Sequence, residues 1–197
     1  MTLGRWVCLF KSPSISRTPP ATKPTTMQPP ERAKLFEELY SQHIAIVWKT
    51  ARAFTASKED RDDLFQEILV SLWQALPNFE ARSKLSTYVY RIAHRRALNW
   101  KRTRQRYENK LALFQDELPE LKIPGPDPQA QARIEWLYWS INELRPVDRT
   151  ICLLYLDGIS YREMADILGL SEENIGIRVH RCKQQLANLL ESHHEEI

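Results

Sequence analysis

Residues 160–186 read SYREMADILGLSEENIGIRVHRCKQQL, and this stretch decides the class of fold. Ser160 followed by Glu163 is a capping-box pattern, in which each side chain satisfies the other's backbone N–H. It opens a short helix with Tyr161, Met164, Ala165 and Leu168 on its inner side. Gly169 permits a tight turn, Ser171 caps a second helix, and Glu172 and Glu173 fall in its first turn, where carboxylates suit the positive helix end. In that second helix Ile175, Val179, Cys182 and Leu186 recur at steps of four, three and four, so one face turns into the domain. Cap, turn and register together predict a helix-turn-helix, where each alone would fit any capped helical hairpin with a solvated basic face. The outer face carries Glu173, Asn174, Ile177, His180 and Arg181, with Gly176 and Arg178 at its edges. Arginine suits phosphate or guanine edges, Asn174 an adenine edge and Ile177 a thymine methyl, so this helix is a candidate for reading the major groove.

Working toward the N-terminus, Pro146 suits the first position of a helix reaching Leu156, which Asp157-Gly158 then stops. Helical periodicity before it resumes at Ile134. From Tyr107 to Gln131 the pattern lapses, and Pro119, Pro124, Pro126 and Pro128 around Gly125 read as a flexible linker. It holds five acids, Glu108, Asp116, Glu117, Glu120 and Asp127. Upstream, Leu35, Leu39, Ile46, Val47 and Phe54 mark a long amphipathic helix. A second helix follows the acidic cluster Glu59, Asp60, Asp62 and Asp63 and runs to Leu76, where Pro77-Asn78 stops it; a third runs from near Ser86 to Arg106. No alternating run suggests a sheet.

The expected fold is therefore all-α, with two small helical domains, 31–106 and 132–192, joined by a linker at 107–131, the second domain being the helix-turn-helix. Residues 1–30 form a Ser/Thr/Pro-rich tail with Met27 as an alternative translation start, and 193–197 a short acidic tail. Cys8, Cys152 and Cys182 form no CxxC pair, so neither a disulfide framework nor a zinc site is indicated, and a reducing cytoplasm fits best. Burial rather than reactivity is expected of Cys182. The apolar run Trp6–Phe10 is too short for a secretory core, and nothing approaches a membrane span. His180 has no partner at ligand spacing, and His193 and His194 sit in the tail, so no metal or other cofactor is expected.

Net charge is only +3 over 197 residues, so its distribution carries the information. Between positions 82 and 106 lie nine basic residues, Arg82, Lys84, Arg91, Arg95, Arg96, Lys101, Arg102, Arg104 and Arg106, with no Asp or Glu. One-sign clustering of this kind is an electrostatic footprint for nucleic acid, since solvated helices without a partner usually alternate in sign. Tyr88, Tyr90 and Trp100 are interleaved with it, as in surfaces that stack single-stranded bases, although Trp100 shares the core face with Leu85, Val89 and Ala93. Arg91, Arg95 and Arg102 point away from that face.

Two blocks, DRDDLFQEILVSLWQALPNF with KLSTYVYRIAHRRALNWKR, and INELRPVDRTICLLYLDGISYREMADILGLSEENIGIRVHRCKQQL, resemble in order and spacing a bacterial RNA polymerase sigma factor of the small, two-domain extracytoplasmic-function type. The resemblance covers Leu35 to Leu190. It implies a non-enzymatic initiation factor that binds core polymerase, selects promoters and helps melt the minus-ten element. It implies that Asp62, Asp63, Gln66 and Glu67 dock on core polymerase. The loop Glu80 to Lys84, with Arg82 and Ser83, would capture a flipped minus-ten base, and Arg91, Arg95, Asn99 and Lys101 would hold the opening strand and adjacent duplex. Glu173, Asn174, Gly176, Ile177, Arg178, His180 and Arg181 would read the minus-thirty-five element. Here the chain departs from the family, which usually has a basic residue and a serine at the positions of Gly176 and Ile177. A membrane-anchored anti-sigma partner is a further implication, with no membrane insertion by this chain.

Two other classes compete. A helix-turn-helix regulator acting without core polymerase would bind duplex alone, but response regulators place an α/β receiver upstream and no βαβ pattern occurs here. A recombinase needs a nucleophile and acid–base group in the first domain. Ser83 and Ser86 lie among basic residues without such a constellation.

Overall fold

The fold was obtained as a computed structural model that describes residues 29–111 and 128–195. Residues 1–28 of the expected tail with Met27, Asp116, Glu117, Glu120 and Asp127 of the linker, and the side chains of Glu108, His193 and His194 lie outside the described residues. Among the described residues the elements are α1 (Pro29–Phe54), α2 (Lys58–Ala75), a 3-10 turn (Leu76–Asn78), α3 (Leu85–Leu111), α4 (Pro128–Glu143), α5 (Pro146–Leu156), α6 (Tyr161–Leu168) and α7 (Glu172–Glu195). No strand occurs among them.

The first unit is a three-helix packing of α1, α2 and α3. Leu39, Val47 and Phe54 from α1, Leu64, Ile68 and Leu72 from α2, and Val89, Ala93 and Ala97 from α3 are fully buried. Their spacing of four, seven or eight puts one stripe of each helix against the others. Burying each large side chain contributes about 1.5–3 kcal/mol, and the small Ala93 and Ala97 let α3 approach closely. Ser57 caps α2, its Oγ accepting from the Asp60 N–H at 3.1 Å, so the acidic cluster lies inside the helix rather than before it, with Glu59 and Asp60 in the first turn.

The second unit is built from α4 to α7 around Ile141, Ile151, Leu154, Met164, Ile175 and Val179. Four helix ends differ from expectation. Helix α1 begins at Pro29, inside the expected tail, and α7 runs to Glu195, past the expected domain end at 192. Helix α3 continues past Arg106 to Leu111, and α4 begins at Pro128, whose fixed φ suits a first helical position, so the expected linker is helical at both ends.

The larger difference is that the two units are in contact. Helix α1 packs on α4 and α5, and α3 on α5 and α6. Arg149 of α5 is buried at this seam: its Nε donates to the Leu144 carbonyl at 2.8 Å, and its Nη1 donates to Asn142 and, at 3.4 Å, to the Ala53 carbonyl. The C-terminal carbonyls of α1 carry partial negative charge and lack intrahelical partners, which suits a cation there. Burial lowers the Arg149 pKa to about 10, so the guanidinium stays charged at neutral pH. No helix among the described residues is long and apolar enough to cross a membrane.

Candidate nucleic-acid interface

The helix-turn-helix forms as its local chemistry predicts. Ser160 Oγ accepts from the Glu163 N–H at 3.3 Å and Glu163 Oε2 accepts from the Ser160 N–H at 3.4 Å, completing the capping box. Gly169 ends α6 in the left-handed region at φ 68°, and Ser171 Oγ accepts from the Asn174 N–H at 3.2 Å to start α7. Ile175, Val179 and Cys182 are buried and Leu186 packs beside them, while Tyr161, expected on the inner side of α6, is partly exposed and Ile167 is buried instead. Burial pushes the Cys152 thiol up to about 11 and the Cys182 thiol up to about 12, which leaves both protonated and unreactive.

The outer face of α7 presents Glu173, Asn174, Ile177 and His180 to solvent, with Ile177 60% exposed and Arg181 at its margin. The two edge residues turn inward. Arg178 Nη1 donates to Oδ1 of the fully buried Asp148 at 2.7 Å, and its Nε donates to Asn174 Oδ1 at 2.8 Å. A Cβ on Gly176 would lie 3.7 Å from Tyr161 Cε2, so this position is the seat of α6 on α7. Five of the seven α7 candidates thus share the open face, and Gly176 and Arg178 serve the packing of the domain.

In the first unit, Glu80 and Arg82 pair with each other at 2.6 Å in a solvated loop, and Ser83 is half-buried beside them. The loop turns at Ala81, whose φ of 53° is in the left-handed region and costs a non-glycine residue about 1–2 kcal/mol. Arg95 and Asn99 are exposed on α3, with Lys101 half-buried. Lys84 and Arg91 are engaged by the second unit: Lys84 Nζ lies 2.7 Å from Glu163 Oε1, and the Arg91 guanidinium donates to the Asp166 carbonyl at 2.9 and 3.2 Å.

The interleaved tyrosines are structural. Tyr88 donates to the Ala75 carbonyl at 2.7 Å and packs on Phe79, and Tyr90 is buried with its hydroxyl on Asp157, whose charge together with burial raises the phenol beyond its usual range. Both hydroxyls are thus committed to the protein, and the Tyr90 ring is buried. Trp100 lies half-buried on the core side.

On α2, Asp62, Asp63 and Gln66 are exposed along one face, which continues into Val70 and Trp73. Glu67 lies at the edge of that face and is half-exposed, its carboxylate turned to α3 and 2.8 Å from Arg96 Nη2. Arg104 pairs with Asp60 at 3.0 Å, and between these two pairs a polar groove of about 300 Å³ is lined by Asn99, Trp100 and Thr103. These α2–α3 pairs were not legible in the sequence, because residues far apart in the chain carry no shared local pattern. The same holds for an apolar groove of about 220 Å³ between α5 and α7, lined by Ile151, Tyr155, Leu156, Val179 and Leu186.

A helical bundle whose third helix is basic and free of acids as far as Arg106, followed by a helix-turn-helix whose outer face is open, defines a DNA-binding protein with two contact units. Residues 39–107 match the family description Sigma-70 region 2, and residues 134–186 match Sigma-70, region 4. The chain belongs to the sigma-70 family of transcription initiation factors, in its extracytoplasmic-function group. Members are not enzymes; they direct core RNA polymerase to promoters. The chain is 29% identical over 162 residues to RNA polymerase sigma factor NccH of Alcaligenes xylosoxydans xylosoxydans, covering 80% of this chain and 87% of that one. It is also 29% identical over 177 residues to sigma factor CnrH of Cupriavidus metallidurans, covering 83% and 90%. In fold it is similar to the sigma factor RpoE solved with the anti-sigma factor NepR from Bartonella quintana, with TM-score 0.65 and 21% identity, over 80% of this chain and 98% of that one.

Proposed function

We propose that this chain initiates transcription through three separate surfaces. The exposed face of α2 with Asp62, Asp63 and Gln66 docks on a basic surface of core polymerase, complementary charge setting orientation and rate of encounter. Glu67 joins that contact only by parting from Arg96. The loop Glu80–Lys84 with Ser83 takes a flipped minus-ten base, and Arg91, Arg95, Asn99 and Lys101 hold the opening strand. Unstacking a base costs a few kcal/mol, offset by binding in a pocket beside a basic helix, so melting follows from preference for the open state. Helix α7 reads the minus-thirty-five duplex with Glu173, Asn174, Ile177, His180 and Arg181, in the cytoplasm. The observation that carries this reading is one chain combining an exposed acidic face on α2, a basic stretch at 82–106 without acids and an open face on α7.

An anti-sigma partner that covers both units fits the same surfaces, since two of the structural neighbours, RpoE and CnrH, were solved with NepR and with the cytosolic domain of CnrY.

The deciding experiment is in-vitro transcription with purified core polymerase on genomic fragments. Promoter-specific initiation only when this chain is added is the expected result. Failure to initiate despite stable core binding would count against it, and tight promoter binding without core polymerase would favour a plain regulator.

A further inference from the structure

The polar groove between α2 and α3 lies well away from the minus-ten loop. Leu85 opens α3 and Trp100 follows it by fifteen positions, so the groove sits about 22 Å along the axis from the loop. Its wall on α3 is a single stripe, Arg96, Asn99, Trp100, Thr103 and Arg104, at steps of three, one, three and one. The two cations are already matched by carboxylates on α2. Arg96 Nη2 and Nε lie 2.8 and 3.0 Å from Glu67 Oε2, and Arg104 Nη1 lies 3.0 Å from Asp60 Oδ1. These pairs frame the groove and cancel in charge. Between them the Trp100 ring is only half-buried against the core, with the Arg104 guanidinium 5.9 Å from its centroid. Thr103 Oγ1 donates to the Asn99 carbonyl at 3.0 Å, which leaves its lone pairs as acceptors. The Asn99 side-chain amide has no partner among the described residues.

We propose that this groove holds one nucleobase, adenine in preference to the others, stacked on Trp100 and paired edge-on with Asn99. A phosphate finds no surplus cation between two matched pairs. A neutral planar heterocycle finds an aromatic ring to stack on, an amide that donates and accepts at once, and a hydroxyl acceptor. An amide of this kind meets the N6 and N7 edge of adenine with two hydrogen bonds. The groove measures about 300 Å³, at the small end of ligand pockets, which suits a single ring system. The base can belong to a free nucleoside or to the strand that opens along α3, and the chemistry of capture is the same. In a strand it would lie about six nucleotides, at stacked spacing, from the base held by the loop. Only the strand source rests on the assignment of α3 to the opening strand.

The test follows the tryptophan indole N–H resonances of the nitrogen-labelled full chain during titration with adenosine, with cytidine, and with short oligothymidines that carry one internal adenine, one internal cytosine or neither. The signal lost in Trp100→Phe identifies Trp100, and that of Trp48, exposed on α1, serves as the control. Adenosine or the adenine-bearing strand should move the Trp100 signal and leave Trp48 in place, and the cytosine counterpart should need about tenfold more for the same shift. Asn99 is exposed and the fold does not lean on its side chain, so Asn99→Ala should fold normally, weaken the adenine response about tenfold and abolish the preference. Asn99→Asp, which keeps the shape and loses the donor, should act in the same direction. A response to adenosine alone assigns the site to a free nucleoside, and a response to the adenine-bearing strand alone assigns it to opened DNA; either supports the proposal. No movement of Trp100, an equal response to the cytosine probes or to plain oligothymidine, or an adenine response unchanged in Asn99→Ala would overturn it. An adenosine response in a chain that fails to initiate with core polymerase would keep the base site and remove the sigma-specific reading; initiation by a chain without any response would do the reverse.

Discussion

Arg178 on the recognition helix reaches back to Asp148 on α5, its Nη1 2.7 Å from a carboxylate with no exposure to solvent. A cation in the stretch that reads DNA is thus spent on holding that stretch in place. Asp148 Oδ2 has no hydrogen-bond partner among the described residues, so Arg178 is the main compensation for a buried charge. Arg178→Ala should therefore lower stability by about 3 kcal/mol, the low end for breaking a buried pair, since Arg178 keeps partial exposure. Arg181→Ala should leave the melting temperature nearly unchanged and weaken initiation by about 1–3 kcal/mol where the upstream element is present. Thermal melts beside initiation assays on promoters with and without that element separate the two; equal melting losses would refute the division.

Gly176 gives a prediction of opposite sign to Gly169. A Cβ at 176 meets the Tyr161 ring at 3.7 Å, an ordinary contact, in the interior of α7. Gly176→Ala should stabilise by up to about 1 kcal/mol through helix propensity, raising the melting temperature by about 2–4 °C. Gly169 has open space around it but a φ of 68°, so Gly169→Ala should destabilise by about 1 kcal/mol. Calorimetry of the two variants checks both signs.

Burial lowers the His94 pKa to about 4, from the ordinary imidazole value of 6.5. The sign follows from proton counting: below pH 6.5 the unfolded chain takes up a proton that the folded chain refuses until about pH 4, so stability falls as pH falls through that window. The loss approaches about 3 kcal/mol at its limit. His94 lies between α3 and α5, so packing of the two units should weaken in the same window. His94→Gln, which cannot charge, should flatten the dependence of melting temperature on pH between 4 and 6.5; an unchanged slope would exclude His94 as its source.

Glu67 and Arg96 are each 39% exposed, which limits their pair to at most about 1 kcal/mol of stability. Asp62→Asn with Asp63→Asn should lower core-polymerase affinity and its salt dependence with no change in melting. Glu67→Gln should produce a small melting loss and a weaker effect on core binding. Titration of labelled core polymerase at two salt concentrations reads the difference.

Local hydrogen bonding made α6 and α7 legible: Ser160, Glu163, Gly169 and Ser171 each act within four residues of their own position. The helical stripes of α1 and α3 were legible for the same reason, through one repeated spacing. Ser57 as the cap of α2 was missed because the acids beside it dominated the reading. The seam was not legible at all. Lys49 and Asp157 are 108 positions apart, and Asp157 already had a sufficient local explanation beside Gly158 as a helix stop. The bonds of Tyr88 and Tyr90 were not legible either, because pattern shows that an aromatic residue lies near cations and not where its hydroxyl is committed.

Arg149 bears on how often the molecule can be used. It holds the first unit through the long 3.4 Å contact to the Ala53 carbonyl and through the Phe54 ring, whose centroid lies 5.6 Å from the guanidinium, while its shorter bonds, to Leu144 and Asn142, lie within its own unit. Were the halves to part, those two shorter bonds would still anchor the guanidinium, and the same side chain would be in place for the next closure.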